Sequence, residues 1–130
     1  MVQLTRSECL TLLAATRLGR LAVTIGETPV IRPVNYMFDG PSQSVVFRTA
    51  EGSKFYALVH AARAAFEIDA IDENASSGWS VIVIGLVEKV TRPMDIKRLD
   101  GLGLNTWTPG PNPHWVRIRA RTVSGRRIVP

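Results

Sequence analysis

The sequence is poor in the residues that build most metal sites and covalent catalytic sites. It has one cysteine, Cys9, and two histidines, His60 and His114, among 130 residues. A single cysteine excludes an internal disulfide and argues against a cysteine-based metal site, and the histidines are too far apart in sequence for an H-x-x-x-H pair. We therefore expect no metal site, and we expect a reducing, cytoplasmic location.

Long apolar runs and familiar catalytic motifs are also missing. No stretch approaches the roughly 20 apolar residues that a membrane-spanning helix needs, and no signal sequence opens the chain. There is no G-x-S-x-G elbow and no P-loop. We predict one domain over residues 1–130, outside the membrane, with no assignable catalytic side chain. Such a chain suits chemistry that a cofactor carries.

Acidic residues are absent after Asp100, whereas five arginines follow it, and the net charge is +5. A basic surface suits nucleic acid or a phosphorylated small ligand. Proteins that bind single-stranded nucleic acid interleave aromatic and basic residues, and here Trp115 alone neighbours the arginine series. The sequence therefore favours a small-molecule ligand over nucleic acid.

Apolar periodicity predicts a mostly-β chain with about three short helices. Thr5 and Glu8 form a capping box that begins the first helix, which Gly19 ends. Further helices are expected to begin at Ser53 and at Pro93. Predicted strands cover residues 21–25, 29–38, 44–49, 64–71, 79–90 and 115–129. The first three should form a meander, and short connections favour an antiparallel barrel.

Four strand positions carry specific expectations. Pro33 demands an edge strand or a bulge, because proline donates no ladder hydrogen bond. Residues 79–90 are apolar on both faces and should be buried on both, in a barrel or a dimer. Gly125 indicates a bulge. Glu67 and Asp69 share one strand face, and a charged exposed face is favoured over an acid–base pair.

The stretch FRTAEGSK at residues 47–54 is the strongest ligand-binding candidate. It reads as a strand end, a glycine turn and a helix opening, where unpaired N–H groups and the helix dipole favour a phosphate. Arg48, Thr49, Ser53 and Lys54 add two cations and two hydroxyls at that point. An ordinary capped helix with solvated basic residues is the alternative interpretation.

Six short motifs follow one another along nearly the whole chain. They are GRLAV at 19–23, PVNY at 33–36, FRTAEGSK at 47–54, AFEID at 65–69, GWSVIVIG at 78–85 and SGRRI at 124–128. Their order and spacing resemble the FMN-binding split-barrel family related to pyridoxamine 5′-phosphate oxidase. The small actinobacterial-type members, which include nitroimidazole-reductase-like proteins, are the most similar. The resemblance implies a six-stranded antiparallel split barrel that forms a homodimer with flavin at the interface.

The resemblance also implies which residues hold the cofactor. Thr49, Ser53 and Lys54 match the family's phosphate-binding segment, and Arg48 adds a second positive charge. Three residues match the strand whose backbone lies along the isoalloxazine ring, and two match the start of the strand that closes the site. The first group is Pro33, Val34 and Asn35, and the second is Trp79 and Ser80.

Other family features are absent or open. The C-terminal Arg/His signature for a substrate phosphate is missing, although His114 and Arg117 lie in that region, so vitamin B6 oxidation is not expected. Trp107 and Trp115 either shape the pocket mouth or pack at the dimer interface. We predict an FMN-dependent oxidoreductase that transfers a hydride between bound flavin and a small substrate. The alternatives are a deazaflavin-dependent reductase of the same fold and a non-catalytic flavin- or haem-binding protein.

Overall fold

Strands dominate the computed structural model, which describes residues 1–49, 62–104 and 114–130. The helix predicted from Ser53 and the side chain of Trp107 lie outside the described residues. The elements in chain order are β1 (Val2–Gln3), α1 (Arg6–Ala15), β2 (Leu18–Ile25), β3 (Thr28–Asn35), β4 (Met37–Asp39), β5 (Ser44–Thr49), β6 (Arg63–Asp72), β7 (Ser77–Leu86), β8 (Glu88–Lys89), α2 (Pro93–Asp100), β9 (His114–Arg119) and β10 (Thr122–Ile128).

The strands form two antiparallel sheets around a shared core. The first sheet has the order β1-β10-β7-β6-β2-β3, and the second has the order β4-β5-β9-β8. Phe47 and Val116 of the second sheet meet Phe66 and Val81 of the first in one buried cluster. The mostly-β fold class with antiparallel sheets and few helices is therefore confirmed.

Helix α1 begins as its sequence predicts but ends earlier. The Glu8 amide donates to Thr5 Oγ1 at 3.1 Å, and the Thr5 amide donates to Glu8 Oε1 at 3.0 Å, so the capping box is confirmed. Gly19 as the helix end is wrong, because α1 stops at Ala15 and Gly19 is a strand residue of β2. A Cβ atom at Gly19 would overlap the Phe66 ring, so glycine is needed there for aromatic packing.

The predicted strand over residues 29–38 is two strands in different sheets. It breaks at Tyr36, so β3 lies at the edge of the first sheet and β4 pairs with β5 in the second. The three-strand meander is therefore wrong. Tyr36 is fully buried at the crossing, where its hydroxyl donates to the Leu13 carbonyl at 2.8 Å and its ring meets Phe66 edge-on at 4.8 Å. These contacts hold the crossing against α1.

The predicted strand over residues 115–129 also divides between the sheets. It turns at Ala120 and Arg121, which separates β9 in the second sheet from β10 in the first. Gly125 as a bulge is wrong, because β10 pairs with β7 in unbroken register from Thr122 to Ile128. A Cβ atom at Gly125 would lie 2.7 Å from Cys9 Sγ of α1, so glycine is needed here for the helix to pack closely on the sheet.

Pro33 lies on edge strand β3, as its missing N–H predicts. Within a single chain, β7 is buried on one face, and burial of residues 79–90 on both faces in a dimer stays a prediction. Val81 and Val83 are fully buried, but Ile82 and Ile84 on the opposite face of β7 are each 37% exposed. One face of this strand packs on the core, and the other lies on the outer surface of the first sheet.

Candidate functional site

The end of β5 carries a buried hydroxyl that the described residues do not satisfy. Val45, Phe47 and Thr49 alternate onto the core face of the strand, and Thr49 is 7% exposed. Its Oγ1 has no hydrogen-bond partner among residues 1–49, 62–104 and 114–130. A buried hydroxyl without a partner carries a desolvation penalty, which a hydrogen-bonding ligand would remove.

Arg48 lies on the opposite face of β5 and contacts an aromatic ring. Its cross-strand partner is Trp115 in β9, and the guanidinium carbon is 5.1 Å from the centroid of that ring. The indole Nε1 of Trp115 donates to Asp100 Oδ1 at 2.7 Å. Trp115 is 2% exposed in a cluster with Val46 and Leu99, so it is part of the core beneath α2.

Helix α2 is fixed to the second sheet by an ion pair in which Asp39 is buried and Arg98 is partly exposed. Pro93 is at the start of the helix, as predicted, and Arg98 Nη2 donates to Asp39 Oδ2 at 2.8 Å. Asp39 is 2% exposed and also accepts a hydrogen bond from Ser42. Burial opposes ionisation of Asp39, but the hydrogen bonds from Arg98 and Ser42 outweigh it and hold the pKa of this carboxyl below its usual range.

Asp39→Asn should destabilise the protein by about 1–3 kcal/mol at pH 7, because a charged acceptor of three side-chain donors is lost. A carboxyl whose pKa is lowered by folding stabilises the protein above its unfolded pKa of about 3.9, and that contribution is lost as pH falls through the folded pKa. Urea unfolding at several pH values should show the two proteins converging below about pH 4. A constant difference down to pH 2 would contradict this prediction.

The strand predicted to face the flavin ring borders a charged cluster. Pro33 of β3 pairs in register with Arg20 of β2, on the outer face of the first sheet. Arg20 Nη1 lies 3.3 Å from Glu67 Oε1 and 3.0 Å from Asp69 Oδ2. Burial and the neighbouring Asp69 raise the pKa of Glu67, and Arg20 opposes them. The two carboxylates belong to an ion-pair cluster that the sequence did not predict.

The strand predicted to close the site lies away from the ring strand. Trp79 pairs with Ala70 and Arg127, and Ser80 pairs with Asp69 and Arg126. Strands β2 and β6 lie between β3 and β7. The strands β3 and β7 are therefore three strand spacings, or about 14 Å, apart. Within one chain, Trp79 and Ser80 therefore do not adjoin Pro33, Val34 and Asn35. Arg48 and Thr49 form a third group in the second sheet, while Ser53 and Lys54 are outside the described residues.

An apolar row crosses the outer face of the first sheet. Cross-strand register aligns Ile31, Ala22, Ala65 and Ile84, which belong to β3, β2, β6 and β7. Ile31 is 64% exposed, and Leu86, further along β7, is 52% exposed. We call the four aligned residues the apolar row; they are Ile31, Ala22, Ala65 and Ile84. An exposed aliphatic surface at the centre of a sheet is typical of a protein interface.

The arginine series of β9 is largely paired. Val116, Ile118 and Ala120 are buried and alternate with the arginines. On the other face, Arg117 Nε lies 3.7 Å and Arg119 Nε 3.3 Å from carboxylate oxygens of Glu88 in the adjacent region of β8. This face is less basic than the sequence suggests, because Glu88 faces both arginines.

Neither described helix has the length and apolar character required to span a membrane.

Comparisons with known proteins extend over almost the whole chain. A family model described as pyridoxamine 5′-phosphate oxidase matches residues 5–127. An uncharacterised protein of Mycobacterium tuberculosis is 35% identical over 98% of this chain and 86% of its own length. The structure of an FAD-binding protein from Mycobacterium smegmatis is 33% identical, with a TM-score of 0.84 over 100% of this chain and 99% of the other.

A second solved structure agrees with the first. A conserved protein of unknown function from Corynebacterium diphtheriae is 34% identical to this chain. Its TM-score is 0.81, and the match covers 99% of this chain and 98% of the other. Both sequence and fold therefore group this chain with small actinobacterial proteins.

Proposed function

The chain belongs to the pyridoxamine 5′-phosphate oxidase family, and from this premise we propose that it is a flavin-dependent oxidoreductase acting on a small substrate. Family membership and an FAD-binding relative support a flavin-related function. The observation that carries the proposal is the buried, unsatisfied Thr49 hydroxyl at the end of β5. FMN is the cofactor that we propose, and FAD is the flavin bound by the relative from Mycobacterium smegmatis.

The residues at the end of β5 fit a phosphate. Thr49 Oγ1 is a donor that lacks a described partner, and Arg48 precedes it with a positive charge. Ser53 and Lys54 follow within five residues and would complete the anchor from the predicted helix opening. In this proposal, Lys54 balances the phosphate charge, and Thr49 and Ser53 donate hydrogen bonds to it, whereas Arg48 lies on the opposite face of β5 and does not share this anchor.

Edge strand β3 suits the ring of the same cofactor. Beyond β3 the described sheet has no further strand, so the outer edge presents backbone N–H and C=O groups to a ligand. The pyrimidine part of a flavin offers both donors and acceptors, and Pro33 leaves room for it by contributing no N–H. When bound, flavin supplies the hydride chemistry, while Pro33, Val34 and Asn35 orient the ring and exclude water.

We also propose a homodimer, with the cofactor at its interface. The apolar row leaves aliphatic surface exposed that a second copy of this chain would cover. The separation of about 14 Å between β3 and β7 supports the same arrangement, because Trp79 and Ser80 of one chain then complete a site on its partner. In a two-fold dimer this exchange occurs twice, which gives two equivalent sites.

An absorbance spectrum of the purified protein, followed by titration with FMN, FAD and the deazaflavin coenzyme, tests the cofactor. We expect visible flavin absorbance or tight binding of FMN. Binding of the deazaflavin coenzyme alone would keep the redox class and replace the cofactor. Failure of all three to bind would overturn the proposed function.

A further inference from the structure

We propose that a basic cavity at the end of β7 binds the phosphate group of a small phosphate ester, at a site separate from the flavin. Three arginines line this cavity, and we call them the arginine cluster; they are Arg63, Arg119 and Arg121. The volume of the cavity is about 190 Å³. The inference goes beyond the proposed function and does not depend on it, because none of the three arginines belongs to the proposed flavin site.

Strand pairing brings the arginine cluster together from segments that are far apart in sequence. Arg63, the first residue of β6, pairs with Leu86 of β7, and Thr122, the first residue of β10, pairs with Ile84 of the same strand. Directly opposed residues in a ladder share a face, so Arg63 and Thr122 flank the end of β7 on the outer face of the first sheet. The other two arginines of the cluster come from the end of β9 and from the turn that follows it.

Positive charge exceeds negative charge at this cavity. Among the described residues, its lining holds three guanidinium groups and one carboxylate, that of Glu88. Glu88 Oε1 lies 3.3 Å from Arg119 Nε and Oε2 lies 3.7 Å from Arg117 Nε, so two arginines of β9 share this carboxylate. Arg63 and Arg121 form no ion pair within the described part of the chain. Like charges held close together repel one another, and a bound anion would remove that repulsion.

The donors and the size of the cavity fit a phosphate group. A guanidinium presents N–H donors in a planar fork that matches two phosphate oxygens, and the Thr122 hydroxyl adds a neutral donor to the same lining. Sites that enclose a whole drug-sized ligand measure roughly 300–1,000 Å³, so this smaller cavity suits the phosphate and the atoms attached to it. Ile84 and Leu86 provide apolar lining for the group that carries the phosphate. The ligand class is therefore a small phosphate ester.

The cavity and the proposed flavin anchor lie at opposite ends of the second sheet. In the β5–β9 ladder, Thr49 pairs with His114, whereas Ser44 pairs with Arg119. The two positions are five residues apart along an extended strand, which is about 17 Å. One phosphate group cannot contact both places. A phosphate at the arginine cluster is therefore additional to the phosphate of FMN.

Calorimetric titration with inorganic phosphate and with phenyl phosphate, at fixed ionic strength, tests the site. Both should bind wild-type protein at concentrations up to about 10 mM, and phenyl phosphate should bind more tightly because its ring contacts the apolar lining. Arg63→Gln and Arg121→Gln should each weaken binding about threefold to tenfold, and both positions are exposed, so the variants should fold. Glu88→Gln should strengthen binding about twofold to threefold, because it removes the carboxylate of the lining.

Arg126→Gln is the matched control, because Arg126 is an exposed arginine of β10 outside the lining of this cavity. It removes the same charge and should leave both affinities unchanged. Equal losses in Arg126→Gln and Arg63→Gln would show that anions are attracted to the basic surface in general, and would overturn the site. Equal affinities of wild-type protein for the two probes would overturn the assignment to a phosphate ester.

The proposed function and this inference fail separately. Arg63→Gln should leave FMN affinity unchanged. A protein that binds no flavin, but loses phenyl phosphate in Arg63→Gln, would retain the arginine cluster as a phosphate site and lose the proposed function. Phenyl phosphate binding that falls in Thr49→Val and persists in Arg63→Gln would place the phosphate at the flavin anchor and overturn this inference alone.

Discussion

Ile84→Asp should convert the proposed dimer to a folded monomer. Ile84 lies in the apolar row, and its exposure in the single chain means that aspartate there need not disturb the core. In a two-fold dimer the substitution occurs twice at the interface. Losing the apolar contacts of two isoleucines and burying two carboxylates should together weaken association by about 4 kcal/mol, which is roughly a thousandfold in the dissociation constant.

Light scattering at micromolar concentration measures the outcome directly, and circular dichroism shows whether the monomer is folded. Met94→Asp is a suitable control, since Met94 is 84% exposed on α2, which covers the second sheet instead of the first. It should leave the mass of the dimer unchanged. If the cofactor site is shared between subunits, Ile84→Asp should lower FMN affinity as well, because the monomer lacks the partner's half of the site. A wild-type monomer, or a persistent Ile84→Asp dimer, would refute the proposed interface.

Thr49→Val should have opposite effects on stability and cofactor affinity. Valine has nearly the shape of threonine, and it removes a buried hydroxyl that lacks a described partner. Without cofactor, the variant should be up to about 1 kcal/mol more stable than wild type, because the desolvation penalty is gone. The same hydroxyl is proposed to donate to a charged phosphate, so FMN affinity should fall about tenfold to a hundredfold.

Ser44→Ala provides the matched control on the same strand. Ser44 is fully buried, but its hydroxyl donates to the Ser42 carbonyl at 3.1 Å. Its removal should lower stability by about 1 kcal/mol and leave FMN affinity unchanged. Urea unfolding of cofactor-free protein and fluorescence titration give the two quantities. Reduced stability together with unchanged affinity in Thr49→Val would show that Thr49 has a structural role only.

Features encoded by neighbouring residues were predicted well. The Thr5–Glu8 capping box, the Pro93 helix start and the edge position of Pro33 all follow from backbone hydrogen bonding within a few residues. These features depend on the hydrogen-bonding groups of a few neighbouring residues, so distant contacts do not change them. The family resemblance, carried by six ordered motifs, was also confirmed.

The positions where the chain changes sheet were not predictable in the same way. The alternation of apolar residues continues through Tyr36 and through Ala120, so each pair of strands looked like one strand. What separates them is the geometry of a barrel, in which a strand must leave one sheet to join another. The roles of Gly19 and Gly125 were missed for a related reason, because each is set by a distant side chain, that of Phe66 or Cys9.

Sequence alone determined the mostly-β class, the family, the starts of the two described helices and the segment proposed to bind phosphate, because these depend on local periodicity and on short motifs. Tertiary structure decided the rest. It left the Thr49 hydroxyl without a described partner, stacked Arg48 on Trp115 and joined that indole to Asp100. It also aligned the apolar row across four strands. These arrangements join residues that are far apart in sequence, so only folding brings them within hydrogen-bonding or van der Waals distance.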